Sequence, residues 1–223
     1  MPIVYLLRHA QSTANTKGIL AGRDNKIGLS KKGFKQARSL VQVLDALKIQ
    51  KIYCSPLTRC IQTVNPYMQK RPKTLFAVDH RLVEMDYGSW SGKKLSSLSR
   101  KPQWQQIQKK PSTFIFPNGE GFKAMRSRVE SILRDLGDED APALLVTHGD
   151  IIKMFLAVAV GLKTDDFQRF IVEPGSISTI GINNHQISLV NSNTLASTRV
   201  DKKVSNTLGG GNIISNRLNF WWR

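Results

Sequence analysis

Two histidines and two arginines stand where this sequence could handle a phosphoryl group. Arg8-His9 follows the apolar run Ile3 to Leu7, and His148-Gly149 follows the apolar run Ala143 to Thr147. Arg59 lies just beyond Ser55-Pro56, where a shorter run from Lys51 to Tyr53 stops. Continuous apolar runs of this kind read as strands buried on both faces. In open α/β sheets ligands bind outside the carboxyl ends of the strands, so these residues, far apart in the chain, are expected to converge there. Together they have the make-up that phosphoryl transfer through a histidine requires. One imidazole attacks phosphorus, and the guanidiniums hold the equatorial oxygens with paired donors. The second imidazole donates to the same oxygens as charge shifts in the transition state.

The elements that must position these groups follow from periodicity. Phe34, Ala37, Leu40, Val41, Leu44 and Leu47 recur at helical spacing and predict a helix over Gly33 to Leu47. A second helix is expected to begin at Ser55-Pro56, since proline is tolerated in a first helical turn. Phe122, Met125, Val129, Ile132, Leu133 and Leu136 mark a third. Ile151 to Val160 reads as a largely buried helix with Asp150 as its N-cap. Ser176 to Ile182 and Gln186 to Val190 predict a hairpin across Asn183-Asn184-His185. This order of elements argues for an α/β fold, a three-layer sandwich. Its central sheet is mostly parallel, with helices on both faces and an antiparallel edge strand. One domain is expected over residues 1–200. Within it, residues 93–118 form a lid insertion with weak periodicity and no acid, and residues 201–223, with Gly209-Gly210-Gly211 near their middle, form a flexible tail.

Composition narrows the partners. Among 223 residues, 33 are Lys or Arg and 16 are Asp or Glu, a formal charge of +17. Such a field raises the encounter rate of anions without choosing among them. Phosphorylated metabolites, nucleic acid and anionic lipid all fit, and a general excess of lysine would give the same total. No apolar run approaches the roughly 20 residues of a membrane helix. The opening Met1-Pro2-Ile3-Val4-Tyr5 lacks a basic leader, so it does not read as a secretory signal, and a cytoplasmic location is expected. Cys54 and Cys60 stand apart from any metal-ligand spacing and read as small buried thiols of a reduced protein.

Six blocks of the sequence resemble the histidine phosphatase superfamily, also called phosphoglycerate-mutase-like. The first is Leu7-Arg8-His9-Ala10-Gln11-Ser12-Thr13-Ala14-Asn15, with Ala10 where the family usually has glycine. Gly22-Arg23-Asp24 follows, with Leu29-Ser30-Lys31-Lys32-Gly33-Phe34-Lys35-Gln36-Ala37. Then come Ser55-Pro56-Leu57-Thr58-Arg59-Cys60-Ile61-Gln62-Thr63, and Leu82-Val83-Glu84 with Tyr87-Gly88-Ser89-Trp90-Ser91-Gly92. Phe116-Pro117-Asn118-Gly119-Glu120 and Thr147-His148-Gly149 complete the set. A narrower likeness, to the actinobacterial phosphomutase/phosphatase subgroup, rests on four short stretches. These are Leu20-Ala21-Gly22-Arg23, Phe116 to Glu120, Gly149-Asp150-Ile151-Ile152-Lys153 and Asp166-Phe167-Gln168-Arg169-Phe170.

The resemblance implies that His9 is the nucleophile, that Arg8 and Arg59 grip the phosphoryl oxygens, and that His148 completes the pocket. It implies Glu84 as general acid and base, with Asp150 as the alternative carboxyl. Asn15 is implied as a further phosphate contact, and Gln11, Arg23, Glu120 and Gly149 as substrate-adjacent. The expected reaction is hydrolysis of a small phosphorylated metabolite through a phosphohistidine. A phosphomutase is the alternative, and the Tyr87 to Gly92 block, with its Trp90, favours hydrolysis. A different class of reading is a nucleic-acid-binding module on an inactive phosphatase scaffold, which the basic charge, Trp104 and Trp221-Trp222 would suit. No metal or other cofactor is expected, because cationic side chains take the part that Mg²⁺ plays in kinases.

Overall fold

The computed structural model describes residues 3–137, 139, 141–183 and 186–195. In chain order its elements are β1 (Ile3–Arg8), α1 (Thr13–Lys17), α2 (Lys31–Ala46), β2 (Lys51–Cys54), α3 (Thr58–Lys70) and β3 (Leu75–Val78). They continue with α4 (Leu95–Leu98), α5 (Pro102–Lys109), α6 (Phe122–Gly137), β4 (Ala143–Thr147), α7 (Gly149–Ala159), β5 (Ser176–Asn183) and β6 (Gln186–Leu195).

Alternation along the central strands decides the layering. β1 turns Val4 and Leu6 into one apolar cluster and Tyr5 and Leu7 into another. β4 does the same, with Ala143 and Leu145 on the first side and Leu144 and Val146 on the second. Strands that are apolar on both faces need cover on both faces. Phe122, Met125 and Val129 of α6 and Ile151, Phe155 and Leu156 of α7 close the first side. Leu40 and Leu44 of α2 and Cys60, Val64 and Tyr67 of α3 close the second.

The six strands lie in the order β3-β2-β4-β1-β5-β6. β3, β2, β4 and β1 are parallel, and β5 and β6 add an antiparallel edge. This is the expected α/β sandwich. Its register also sets the site. Arg8 pairs with Thr147 and Cys54 with Val146, so His9, His148 and Ser55 leave three neighbouring strands side by side.

Several local expectations are corrected. The helix expected from Gly33 begins at Lys31, because Ser30 caps it by accepting from the Gly33 N–H at 3.0 Å. The helix expected at Ser55-Pro56 begins at Thr58, with Pro56 outside it and Pro66 within it. Ser55 remains extended and uses its hydroxyl in the site. Asp150 does not cap α7. His148 holds that position, and Asp150 sits in the first turn. β3 was not expected at all. The hairpin strands run longer than expected, to Asn183 and Leu195, while Asn184 and His185 of the expected turn lie outside the described residues, as does the expected tail.

Residues 93–118 are an ordered part of the fold. Leu95, Leu98 and Ile107 are fully buried in the first cluster. The segment docks on the stretch that follows α1. The Leu20 N–H donates to the Lys93 carbonyl at 3.0 Å, and the Leu95 N–H to the Gly18 carbonyl at 2.8 Å. Lys93, Lys94, Arg100, Lys101, Lys109 and Lys110 are all exposed.

Candidate active site

His9 follows β1 directly and is held by backbone on both sides. Its own N–H donates to the Thr147 carbonyl at 2.9 Å, and the next N–H, of Ala10, donates to Thr63 Oγ1 at 2.9 Å. The ring Nδ1 lies 2.8 Å from the Ala10 carbonyl. A carbonyl only accepts, so Nδ1 carries the proton and Nε2 presents its lone pair. Burial, aided by the Arg59 and Arg8 charges, pushes the imidazole well below the usual histidine range. The result is a neutral ring with a free Nε2, the form that can attack phosphorus.

His148 lies against it, with ring centroids 5.2 Å apart in an edge arrangement. Its Nε2 is 2.8 Å from Ser55 Oγ. That oxygen also accepts the Leu57 N–H at 3.4 Å, and we take its hydroxyl hydrogen to be donated to Nε2. We therefore assign the His148 proton to Nδ1. Burial is again the main cause of a pKa well below the usual range, followed by Arg59 and His9.

The two arginines are buried yet charged. Arg59, 1% exposed on the first turn of α3, spends its terminal nitrogens on the Gly22 carbonyl at 2.7 Å and the Asp24 carbonyl at 3.2 Å. Arg8 donates from Nη1 to the Val172 carbonyl at 2.5 Å. Its guanidinium runs past the start of α7, where a Cβ on Gly149 would come within 3.3 Å of Cζ. A side chain at that point would crowd the guanidinium by a few tenths of an ångström. Glu84, Glu173 and Asp150 all act on Arg8 electrostatically, against the effect of its burial.

Glu84 is 5% exposed, in the loop after β3, and accepts from the Met85 N–H at 3.0 Å. Burial and then the Asp150 charge lift its carboxyl to about 7, against the pull of Arg59 and Arg8. Asp150 is fully buried and takes the Tyr87 hydroxyl at 2.7 Å on Oδ2. Lys153, one turn on, lies 3.9 Å from Oδ1 and donates to Gln168 Oε1 at 3.0 Å. The two neighbouring carboxyls thus differ in kind. Asp150 is engaged by Tyr87 and Lys153, and Glu84 is poised between its two protonation states near neutral pH.

The remaining expected contacts are held by the protein itself. Asn15 forms a capping box with Ser12, its Oδ1 taking the Ser12 N–H and hydroxyl at 2.9 Å each. Gln11 Oε1 accepts from Ser30 at 2.8 Å. Arg23 donates from Nε to the Glu84 carbonyl at 3.0 Å and pairs with Asp86 and Glu120. Glu120 takes Arg128 Nη2 at 2.5 Å and the Asp86 N–H at 3.1 Å on the same Oε1. Arg23 and Glu120 therefore stand behind Glu84 and bond to its loop.

Several residues of the site escaped the sequence reading. Thr63, Gln36 and Gln62 lie in the quoted blocks and bind backbone. Thr63 takes the Ala10 N–H, Gln36 the Gln11 N–H and Gln62 the Leu29 N–H. Tyr87 was seen only as part of a block. Arg128 sits inside an amphipathic helix and carries no sequence signal that separates it from a solvated charge. Among the described residues no three His, Cys, Asp or Glu side chains are grouped so as to hold a metal ion, and no helix is long and apolar enough to cross a membrane.

The family model for the histidine phosphatase superfamily (branch 1) matches residues 4–195. A Hydrogenobacter thermophilus protein named "Putative phosphoserine phosphatase 2" is 30% identical over 202 residues, 89% of this chain and 98% of that one. The adenosylcobalamin/alpha-ribazole phosphatase of Escherichia coli strain K12 is 26% identical over 191 residues, 81% of this chain and 90% of its own. The crystal structure of the alpha-ribazole phosphatase of Shigella flexneri superimposes with a TM-score of 0.78 at 26% identity, covering 89% of this chain and 99% of that one.

Proposed function

The chain belongs to the histidine phosphatase superfamily (branch 1), and from that premise we propose the roles of its residues in hydrolysing small phosphomonoesters. The observation that carries the reading is the His9 ring, neutral, with Nδ1 tied to the Ala10 carbonyl and Nε2 free among Arg8, Arg59 and His148.

In the first step His9 Nε2 forms a bond to phosphorus while the bond to the ester oxygen breaks. Arg8 and Arg59 hold the equatorial oxygens, and the His148 Nδ1–H donates to the charge that builds on them. Protonated Glu84 gives its proton to the departing alcohol. In the second step the Glu84 carboxylate takes a proton from water as its oxygen attacks the phosphohistidine. Inorganic phosphate leaves, and Nε2 regains its lone pair. A carboxyl near 7 serves both steps, since it can give and then take a proton at neutral pH. Asp150 is not given this part because the Tyr87 hydroxyl already holds its Oδ2.

The substrate is a small phosphorylated metabolite, and the cytoplasm is the proposed location. Relatives named for phosphoserine and alpha-ribazole support a metabolite over a polymer. Within the superfamily we place the chain nearest the actinobacterial phosphomutase/phosphatase subgroup. What supports this is that two of its motifs meet at the Lys153–Gln168 bond. Hydrolysis is preferred to mutase transfer because relatives that match 89% and 81% of this chain are named as phosphatases.

The test is a rapid quench of the protein with labelled p-nitrophenyl phosphate. Acid-labile, base-stable label on His9 is expected, and His9→Ala should abolish both label and turnover. Turnover of His9→Ala within a few-fold of wild type would overturn the mechanism. Measuring free phosphate against transfer to an added alcohol separates hydrolase from mutase.

A further inference from the structure

The proposed acid, Glu84, is carried by a loop rather than by a helix or strand, yet it must meet the ester oxygen within hydrogen-bond reach. What holds that loop is a set of three charged side chains. Arg128, on α6, sends Nη1 to the Arg81 carbonyl at 2.6 Å and to the Val83 carbonyl at 3.0 Å. Arg23, from the segment after α1, sends Nε to the carbonyl of Glu84 itself at 3.0 Å. Glu120, just before α6, accepts the Asp86 N–H at 3.1 Å on the far side of Glu84. The same Glu120 oxygen joins the two guanidiniums, with Arg128 Nη2 at 2.5 Å and Arg23 Nη2 at 3.2 Å. Residues 81, 83, 84 and 86 are thus each bonded through backbone to one connected network. Three separate parts of the chain contribute to it.

We propose that Arg128, Glu120 and Arg23 form a positioning clamp that fixes the Glu84 backbone, so that its carboxyl meets the leaving oxygen. The inference rests on the reading of Glu84 as the acid. Charge-assisted bonds to carbonyls are about twice as strong as neutral ones, and a planar guanidinium fixes donors on separate nitrogens, here Nη1 on two carbonyls and Nη2 on Glu120, where an ammonium has all its donors on one nitrogen. Arg128 and Glu120 are mostly buried, with side chains 19% and 14% exposed, so solvent screens them only in part. None of the three needs to touch substrate. Their effect passes through the main chain of the loop.

A clamp of this kind leaves a signature that a merely structural network would not. Misplacing an acid harms esters whose alcohol needs a proton and spares those whose alcohol does not. The experiment compares kcat/KM for p-nitrophenyl phosphate with that for glycerol 3-phosphate in wild type, Glu84→Gln, Glu120→Gln and Arg128→Lys, each checked for folding by thermal melting. Glu120→Gln keeps an acceptor and loses the charge that joins the arginines. Arg128→Lys keeps the charge and loses the second nitrogen, so the two carbonyls and Glu120 can no longer be held together. Both are expected to raise the aryl-to-alkyl ratio by about 10-fold or more, in the same sense as Glu84→Gln, since an ångström of misplacement can cost about 10²-fold. If Glu84→Gln raises the ratio and folded Glu120→Gln and Arg128→Lys do not, the clamp is refuted while the acid stands. If Glu84→Gln itself leaves the ratio unchanged, the acid assignment falls and the clamp with it.

Discussion

At the scale of single residues the site depends on groups kept in unusual protonation states by burial. Glu84 is the clearest case, because its position costs stability. Its carboxyl is lifted from an ordinary 4.5 to about 7 in the folded protein. Between those values the folded state keeps a proton that the unfolded chain releases. Stability therefore falls as pH rises through that window, and the full penalty is present above about pH 7. The penalty is roughly 3 kcal/mol at most. Glu84→Gln should accordingly melt at a higher temperature than wild type at about pH 8, with the gap closing toward about pH 4. Melting curves at both pH values check this, and an equal gap at both would show that folding does not raise the Glu84 carboxyl above its ordinary value. Catalysis follows the same titration with its own sign. For alkyl phosphates, whose leaving oxygen needs the proton, kcat/KM should fall as pH rises past about 7. For p-nitrophenyl phosphate that limb should be weaker.

At the scale of elements, the loop from His9 to Ser12 is fixed by close contact with the start of α2. The Ser30 N–H donates to the Gln11 carbonyl at 2.9 Å, and Gln36 Oε1 takes the Gln11 N–H at 2.9 Å. Gly33 lies so near that a Cβ there would stand 2.0 Å from the Gln11 carbonyl oxygen. Backbone on both sides leaves no flexible side chain to give way. Gly33→Ala should destabilise the fold by roughly 1–3 kcal/mol, the usual cost of overpacking. It should also lower kcat by displacing the residues that follow His9. Urea unfolding measures the first and steady-state turnover the second. An alanine variant of wild-type stability would mean that α2 can withdraw without disturbing the loop.

At the scale of the whole molecule the largest feature is charge, +17 over the chain. Part of it is concentrated in residues 93–118, whose Lys93, Lys94, Arg100 and Lys101 are exposed on a segment docked beside Gly18 to Leu20. The same stretch leads to Gly22, whose carbonyl holds Arg59. Exposed charges act at range and are screened beyond about 8 Å at physiological salt. They are therefore expected to act on encounter and not on chemistry. We expect kcat/KM to decline with ionic strength, more steeply for a substrate with a carboxylate beside its phosphate than for a simple monoester. Replacing the four cations with glutamine should flatten that slope and leave kcat nearly intact. An unchanged slope in the quadruple variant would make them a solvated surface only.

The sequence alone determined the elements whose signal is local. The buried strands β1 and β4 declare themselves by unbroken apolar runs, and α2 and α6 by helical spacing, because each pattern is written in contiguous residues. Arg8, His9, Arg59 and His148 could be placed for the same reason, since each lies at or beyond the end of a strand that could be recognised. Tertiary structure decided what depends on partners distant in the chain. β3 is a four-residue edge strand with Leu75 and Val78 exposed, so it carries no alternation to read. Asp150 looked like a helix cap until α7 began two residues earlier, at Gly149, and the Tyr87 hydroxyl, 63 residues away, claimed its carboxylate. Asn15, Arg23 and Glu120 were expected near substrate, and the structure adds bonds that short-range pattern did not foretell: the first caps a helix and the others bond to the Glu84 loop. A polar side chain advertises only that it will bond to something. The packing of three elements that meet at one loop decides to what, and short-range pattern does not encode that meeting.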